Sequence, residues 1–288
     1  MKTTSTRLWR IIVALVVAVG LTACSAIKLG YNTFDDVAYW WLDGYIDFTD
    51  EQAPRARAEL DRLHAWHRSQ ELPRFVEILE RMERMAPGSI TPQQACGIAN
   101  EVQERLKLVA DQAEPAVLAL VADLTPDQLR HLERKYRSNN DKFRKEWVRE
   151  PVAEQKDKRY ERMLDRLEMI YGRLDTAQRR VLRQGIDQSA WDAQRVMAER
   201  QRRQQDLLQT AGRIIESRGA NRELLRGYVE RVQRSPDAAY RAWQDELLQE
   251  NCRVFAAVHE STTAGQREQA VRRLRAYQRD LKDLAERR

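Results

Sequence analysis

An all-α fold is predicted by three features of the sequence. Apolar residues recur at intervals of three and four, as in Leu60, Leu63 and Trp66, in Phe75, Ile78, Leu79 and Met82, and in Met163, Leu164, Leu167 and Ile170. Such spacing draws one apolar stripe along each helix. The 288 residues include only 11 Gly and 8 Pro, and no run of alternating β-branched residues is long enough for a strand. The third feature is a repeated pentapeptide: FTDEQ at 48–52, ITPQQ at 90–94 and LTPDQ at 124–128, with weaker copies LDTAQ at 174–178 and TTAGQ at 262–266. Each sets Thr or Asp three positions before Gln, which is the arrangement of a capping box. The cap side chain accepts from the backbone N–H three residues on, and the Gln reaches back to the N–H of the cap. The repeat is read as a set of helix starts.

Prolines mark the joints. Pro92, Pro126 and Pro236 each follow Thr or Ser, as when a hydroxyl residue caps a helix and Pro occupies its first turn. Pro87-Gly88 ends a helix and Pro151 starts one, whereas Pro73 and Pro115 are expected to kink or break theirs. Helices are therefore predicted over 33–46, 50–71, 73–86, 92–122, 126–149, 152–172, 176–217, 220–234, 236–259 and 264–286. Their polar faces are rich in Arg and Gln, which suits an elongated bundle of long amphipathic helices.

The N-terminus has the order of a secretory signal. Lys2, Arg7 and Arg10 precede an apolar run from Ile11 to Leu21, and small residues follow. The run is short for a membrane span. Its end, Leu21-Thr22-Ala23-Cys24, resembles the lipobox of bacterial lipoproteins. That resemblance implies cleavage before Cys24, which would carry a diacylglyceryl thioether and an N-acyl chain such as palmitate. Three acyl chains at roughly 0.8 kcal/mol per buried methylene make a permanent anchor. Ser25 after the Cys implies the outer membrane. The expected organisation is a signal peptide (1–23), a lipidated tether (24–30) and a periplasm-facing helical domain (31–288). If that domain divides into two docked halves, the break falls near 150 or 218.

Loss of the signal changes the charge. The chain has 50 basic and 44 acidic side chains, a net +6. Without Lys2, Arg7 and Arg10 the balance is 47 against 44. The signs alternate along the chain, with no basic face carrying stacking aromatics, so nucleic acid is not expected as a partner. Cys96 and Cys252 remain as an even pair in an oxidising compartment. Their disulfide would close a loop of about 156 residues, worth on the order of 4 to 5 kcal/mol. The alternative is two buried free thiols.

Two stretches carry candidate chemistry. Between Tyr31 and Phe48 lie seven aromatics, among them Tyr39, Trp40, Trp41 and Tyr45. They fit a first helix docked into the bundle with part of its face left for membrane or partner. Acids interleaved with the rings argue against deep insertion. In LDRLHAWHRSQEL, His64, His67 and Glu71 share one helix face, where they could converge on a transition metal. The segment lacks the H-E-x-x-H order of a metalloprotease helix. A structural network involving Arg68 or His67 with Glu71 is the competing reading. P-loop, G-x-G-x-x-G, G-x-S-x-G and C-x-x-C motifs are missing, and no cofactor is expected beyond the lipid on Cys24.

The LTPDQ pentapeptide and its relatives resemble the L-T-x-x-Q motif of the Spy and CpxP group of periplasmic helical proteins, which implies a chaperone or stress-signalling role. The lipobox, YNTFDDVAYWWLDGYIDFTDEQ and WHRSQELPRF together resemble an uncharacterised family of proteobacterial lipoproteins, over most of the length. That likeness implies a lipoprotein and supplies no activity. The expectation is a non-catalytic module that binds an envelope protein or an unfolded client. An envelope hydrolase, metal-assisted through His64, His67 and Glu71, is the alternative.

Overall fold

The computed structural model describes residues 27–217 and 221–286. The expected signal peptide and Cys24 lie outside the described residues. Among the described residues there is no strand, and the chain is helical almost throughout. Residues 27–32 are already helical, so the last part of the expected tether is structured; Lys28 Nζ lies 3.3 Å from Asp280 Oδ1 and also pairs with Asp283. The helices that follow are α1 (Phe34–Ile46), α2 (Gln52–Trp66), α3 (Leu72–Met85), α4 (Pro92–Ala122), α5 (Pro126–Phe143), α6 (Val152–Tyr171), α7 (Thr176–Asp187), α8 (Ala193–Glu216), α9 (Arg222–Gln233), α10 (Ala238–Glu260) and α11 (Ala264–Glu286). A π-helical turn, His67–Glu71, joins α2 to α3, and a second, Arg144–Val148, extends α5.

All five capping boxes form. Thr91, Thr125 and Asp175 each accept from the N–H of the Gln three residues on, and that Gln returns a bond to the cap N–H. Thr49 with Gln52 and Thr263 with Gln266 do the same. Four of these glutamines also do something the sequence does not announce. Gln52 Nε2 donates to the Asp123 carbonyl at 2.8 Å, and Gln128 Nε2 donates to the Asp47 carbonyl at 2.9 Å. The two carboxamides meet each other at 2.6 Å. Gln178 and Gln266 repeat the arrangement: their Nε2 atoms reach the carbonyls of Ser261 and Arg173, and their carboxamides pair at 2.7 and 2.9 Å. In every case the carbonyl belongs to the residue two before the partner's cap. Seven residues past each of these four caps stand Ala56, Leu132, Leu182 and Ala270, all buried. Gln94 is exposed and serves its own helix start alone.

The same pattern of neighbours is thus built twice. In one set α1 packs on α2 and α5, and α2 packs on α4; in the other α6 packs on α7 and α11, and α7 packs on α10. The second set begins just after Pro151. The sets exchange arms: α3, continuing α2, lies along α11, while α8, following α7, lies along α5. Helices α4 and α10 meet across the middle, joined by the Cys96–Cys252 disulfide with Cα atoms 5.5 Å apart. The largest apolar core sits in the second set, around Leu167, Tyr171, Leu174, Leu182, Ile186, Val258 and Leu274. Gly185 lets α7 approach α10 there, since a Cβ at that position would overlap the Val254 side chain.

Two helix boundaries, and the effects of two prolines, depart from the sequence reading. The segment 176–217 is two helices, because Ser189 and Ala190 are drawn out of helical geometry by Glu250, which takes the Ser189 hydroxyl at 2.8 Å and the Ala190 N–H at 3.1 Å. Trp243 Nε1 donates to the Ala190 carbonyl at 2.7 Å, and Asp192 caps the restart. Asp237, not Ser235, caps α10; the Ser235 hydroxyl is buried and donates to Glu199. Pro115 lies inside α4, which runs on unbroken, and Pro73 falls in the first turn of α3, where a missing N–H costs little.

Candidate functional site: the N-terminal aromatic surface

Helix α1 contributes no buried residue to the core. It ends at Asp47, whose left-handed backbone (φ 59) turns the chain, and the Phe48 N–H donates to Asp43 Oδ1 at 3.0 Å. Its inner side is polar and aromatic. Asn139 Nδ2 donates to the Tyr45 hydroxyl at 2.7 Å, with Lys135 over the same ring. Tyr39 stacks on Phe48, and Arg57 lies 3.5 Å from its ring centroid, a cation–π contact worth roughly 0.5–1 kcal/mol where solvent reaches it. The outer side is apolar. Trp40 is 75% exposed and Trp41 55%, and Phe34 and Val37 stand exposed beside them at helical spacing. The four predicted aromatics are therefore divided: Tyr39 and Tyr45 dock the helix, and Trp40 and Trp41 are left outside. An amphipathic helix normally buries its apolar stripe, so this stripe turned to solvent is the candidate functional surface.

His64, His67 and Glu71 do not converge. The π turn closes its bond from Leu72 N–H to the His67 carbonyl, which adds a residue to the turn and rotates Glu71 away from the face that regular spacing assigns it. Glu71 is 1% exposed and is held bidentate by Arg105, with Nε at 2.8 Å from Oε2. The partner expected from the sequence, Arg68 or His67, is replaced by a residue on α4 that no local pattern pointed to. His67 Nδ1 lies 2.8 Å from the Tyr31 hydroxyl. His64 is buried beside the Tyr31 ring and stands 3.8 Å from Asp35. Arg68 donates to the Leu284 carbonyl and to Asn32 Oδ1. Together these contacts dock the segment leading into α1 against α2 and the end of α11. Among the described residues no three His, Cys, Asp or Glu side chains are grouped to hold a metal ion.

A second buried histidine was unassigned by sequence. His259, fully buried, sets Nε2 2.8 Å from the Gly88 carbonyl and Nδ1 2.8 Å from the Tyr171 hydroxyl. Neutral imidazole with its proton on Nε2 satisfies both. Burial pushes the Tyr171 hydroxyl up to about 12 and holds His259 below its ordinary value of 6.5. Burial likewise depresses His64 and His67. In the unfolded chain these imidazoles bind protons near 6.5 while the folded ones resist, so the unfolded state gains protons as pH falls through that value. Stability is expected to be full at pH 7.5 and to decline below about pH 6.5. Urea midpoints across that range test it, and His259→Asn should flatten the slope.

The fold and this surface describe an all-α protein with an outward aromatic face; among its described residues no helix is long and apolar enough to cross a membrane. The chain belongs to the family of unknown function DUF6279, which matches residues 44–241. The match begins inside α1, after Trp41, and ends within α10, before Cys252. No curated protein and no solved structure matches the chain. The comparisons bring no likeness to the Spy and CpxP group, and the shared pentapeptide is accounted for by helix capping and carboxamide pairing.

Proposed function

We propose that the protein is an outer-membrane-anchored, periplasm-facing lipoprotein that acts without catalysis as a protein-binding scaffold. The outward pair Trp40 and Trp41 carries this reading: large, rigid rings at a solvent-exposed face are the usual anchors of protein interfaces, and they lie 16 and 17 residues beyond Cys24, the expected lipid attachment. Two of the three groups that a hydrolase reading relied on are engaged within the fold, Glu71 with Arg105 and His67 with Tyr31, and His64 stands apart from both, which favours binding over chemistry. An envelope protein offering an apolar groove is the partner expected, with an unfolded client as the chaperone-like variant.

A photo-crosslinking residue at Val37 in living cells is expected to capture one defined protein. Adding Trp40→Ser and Trp41→Ser should abolish the adduct while changing stability by no more than about 0.5 kcal/mol, since both rings are exposed. Adducts with lipid alone would overturn the partner reading. Cys24→Ser is expected to release the chain from the membrane fraction, and its retention there would overturn the anchor.

A further inference from the structure

The twice-built pattern gives α1 a counterpart within the same chain. In the second set α6 takes its place, packing on α7 and α11 as α1 packs on α2 and α5. Both helices end at a residue of positive φ, Asp47 and Gly172. Four residues earlier each carries an acid that accepts the backbone N–H just ahead of the next cap, Asp43 from Phe48 and Glu168 from Leu174, both at 3.0 Å. That register sets Val37, Trp40 and Trp41 against Arg162, Asp165 and Arg166. All six are exposed, so the fold leaves this face in water twice. In α6 the face is charged, as a solvated face is expected to be. In α1 the same positions join Phe34 in an apolar stripe that the fold does not require, and its cause lies outside the chain.

The chemistry of the stripe selects its occupant. Asp36, the ionised side chain on its border, is balanced within the chain by Arg57 at 3.4 Å, and the rings and Val37 offer no charge for a partner to match. An uncharged face whose side chains form ridges at intervals of three and four fits a helix of the same kind, ridges into grooves. Phe34, Trp40 and Trp41 leave on the order of 300–450 Å² of ring surface in solvent on each copy. Two such faces make a small interface, below about 1,200 Å² and weak between free molecules. The expected anchor strengthens it. The described helical chain begins at Ile27, three residues after Cys24, a span of roughly 10 Å at most. Two copies in one leaflet therefore carry the stripe at similar height, and their confinement raises the effective concentration as a linker does.

We propose that the occupant of the α1 stripe is the α1 stripe of a second copy, in a two-fold dimer on the membrane. This rests on the reading of Trp40 and Trp41 as a protein-binding surface and names the partner.

The test uses two full-length versions with different short C-terminal tags, made in the same cells, one of them with a photo-crosslinking residue at Val37. An adduct of twice the chain mass that carries both tags is expected. Trp40→Ser with Trp41→Ser in both versions should reduce it at least about tenfold, as expected when a pair of interface anchors is lost. The same photo-crosslinking residue at Arg162 should give no two-tag adduct. Circular dichroism of each purified chain confirms that it folds. A Val37 adduct with another protein and none with the tagged copy would overturn the dimer and leave the protein-binding reading standing, whereas adducts with lipid alone, or none, would overturn both. A two-tag adduct that survives the double substitution, or one equally strong from Arg162, would overturn pairing through α1.

Discussion

Replacing Cys96 and Cys252 together by Ala is expected to lower stability by about 4 to 5 kcal/mol, the chain-entropy value for a loop spanning 156 residues. For a chain of this size that corresponds to a fall in Tm of roughly 8 to 20 °C. The effect is large because the bond joins two elements far apart in sequence. Without it the unfolded chain regains the freedom of more than half its length. Its position adds to this, since α4 and α10 are the helices through which the two four-helix sets face each other. Ala is chosen over Ser because both sites are buried, and a hydroxyl there would add a desolvation cost of its own. Thermal unfolding of the double variant beside the oxidised parent measures the difference. A midpoint shifted by less than about 2 °C would mean that the unfolded chain is already held compact by other contacts.

Gln178→Ala is expected to cost about 2 to 4 kcal/mol, and Gln94→Ala only about 0.5 to 1. Both residues close a capping box of the same form, so a purely local account predicts equal effects. Gln178 is 2% exposed and also pairs with the Gln266 carboxamide and the Ser261 carbonyl. Truncation leaves those half-buried groups without this partner, and much of their desolvation penalty appears. Gln94 is exposed, and water replaces what it loses. Urea denaturation of the two variants decides the matter. Equal losses would reduce the Gln178–Gln266 clamp to an incidental contact, and the cycle with Gln266→Ala should show coupling of at least about 0.5 kcal/mol.

The candidate site shows how far a linear reading reaches. The aromatic run from Tyr31 to Phe48 was visible at once, because composition needs no geometry. Which rings face outward was not, since aromatic residues fall on both the inner and the outer side of α1. Docking was settled by Asn139, Lys135 and Arg57, residues from α5 and α2 that have no local relation to α1. His64, His67 and Glu71 illustrate the opposite error. Their spacing is correct for a regular helix, and a π turn between them changes the register that the argument assumed.

What the sequence determined by itself was local: the all-helical class, the spacing of the apolar stripes, nearly every helix start, and the even cysteine pair. Those properties rest on contacts within about four residues, where capping and periodicity act with little help from the rest of the chain. Tertiary structure alone decided what the capping glutamines pair with, that the helix pattern is built twice and exchanges arms, which partner neutralises Glu71, and which side of α1 meets solvent. Each depends on groups 34 to 94 residues apart in sequence. Burial makes such pairings specific, because a carboxamide or carboxylate taken out of water must find its partner wherever the chain brings one.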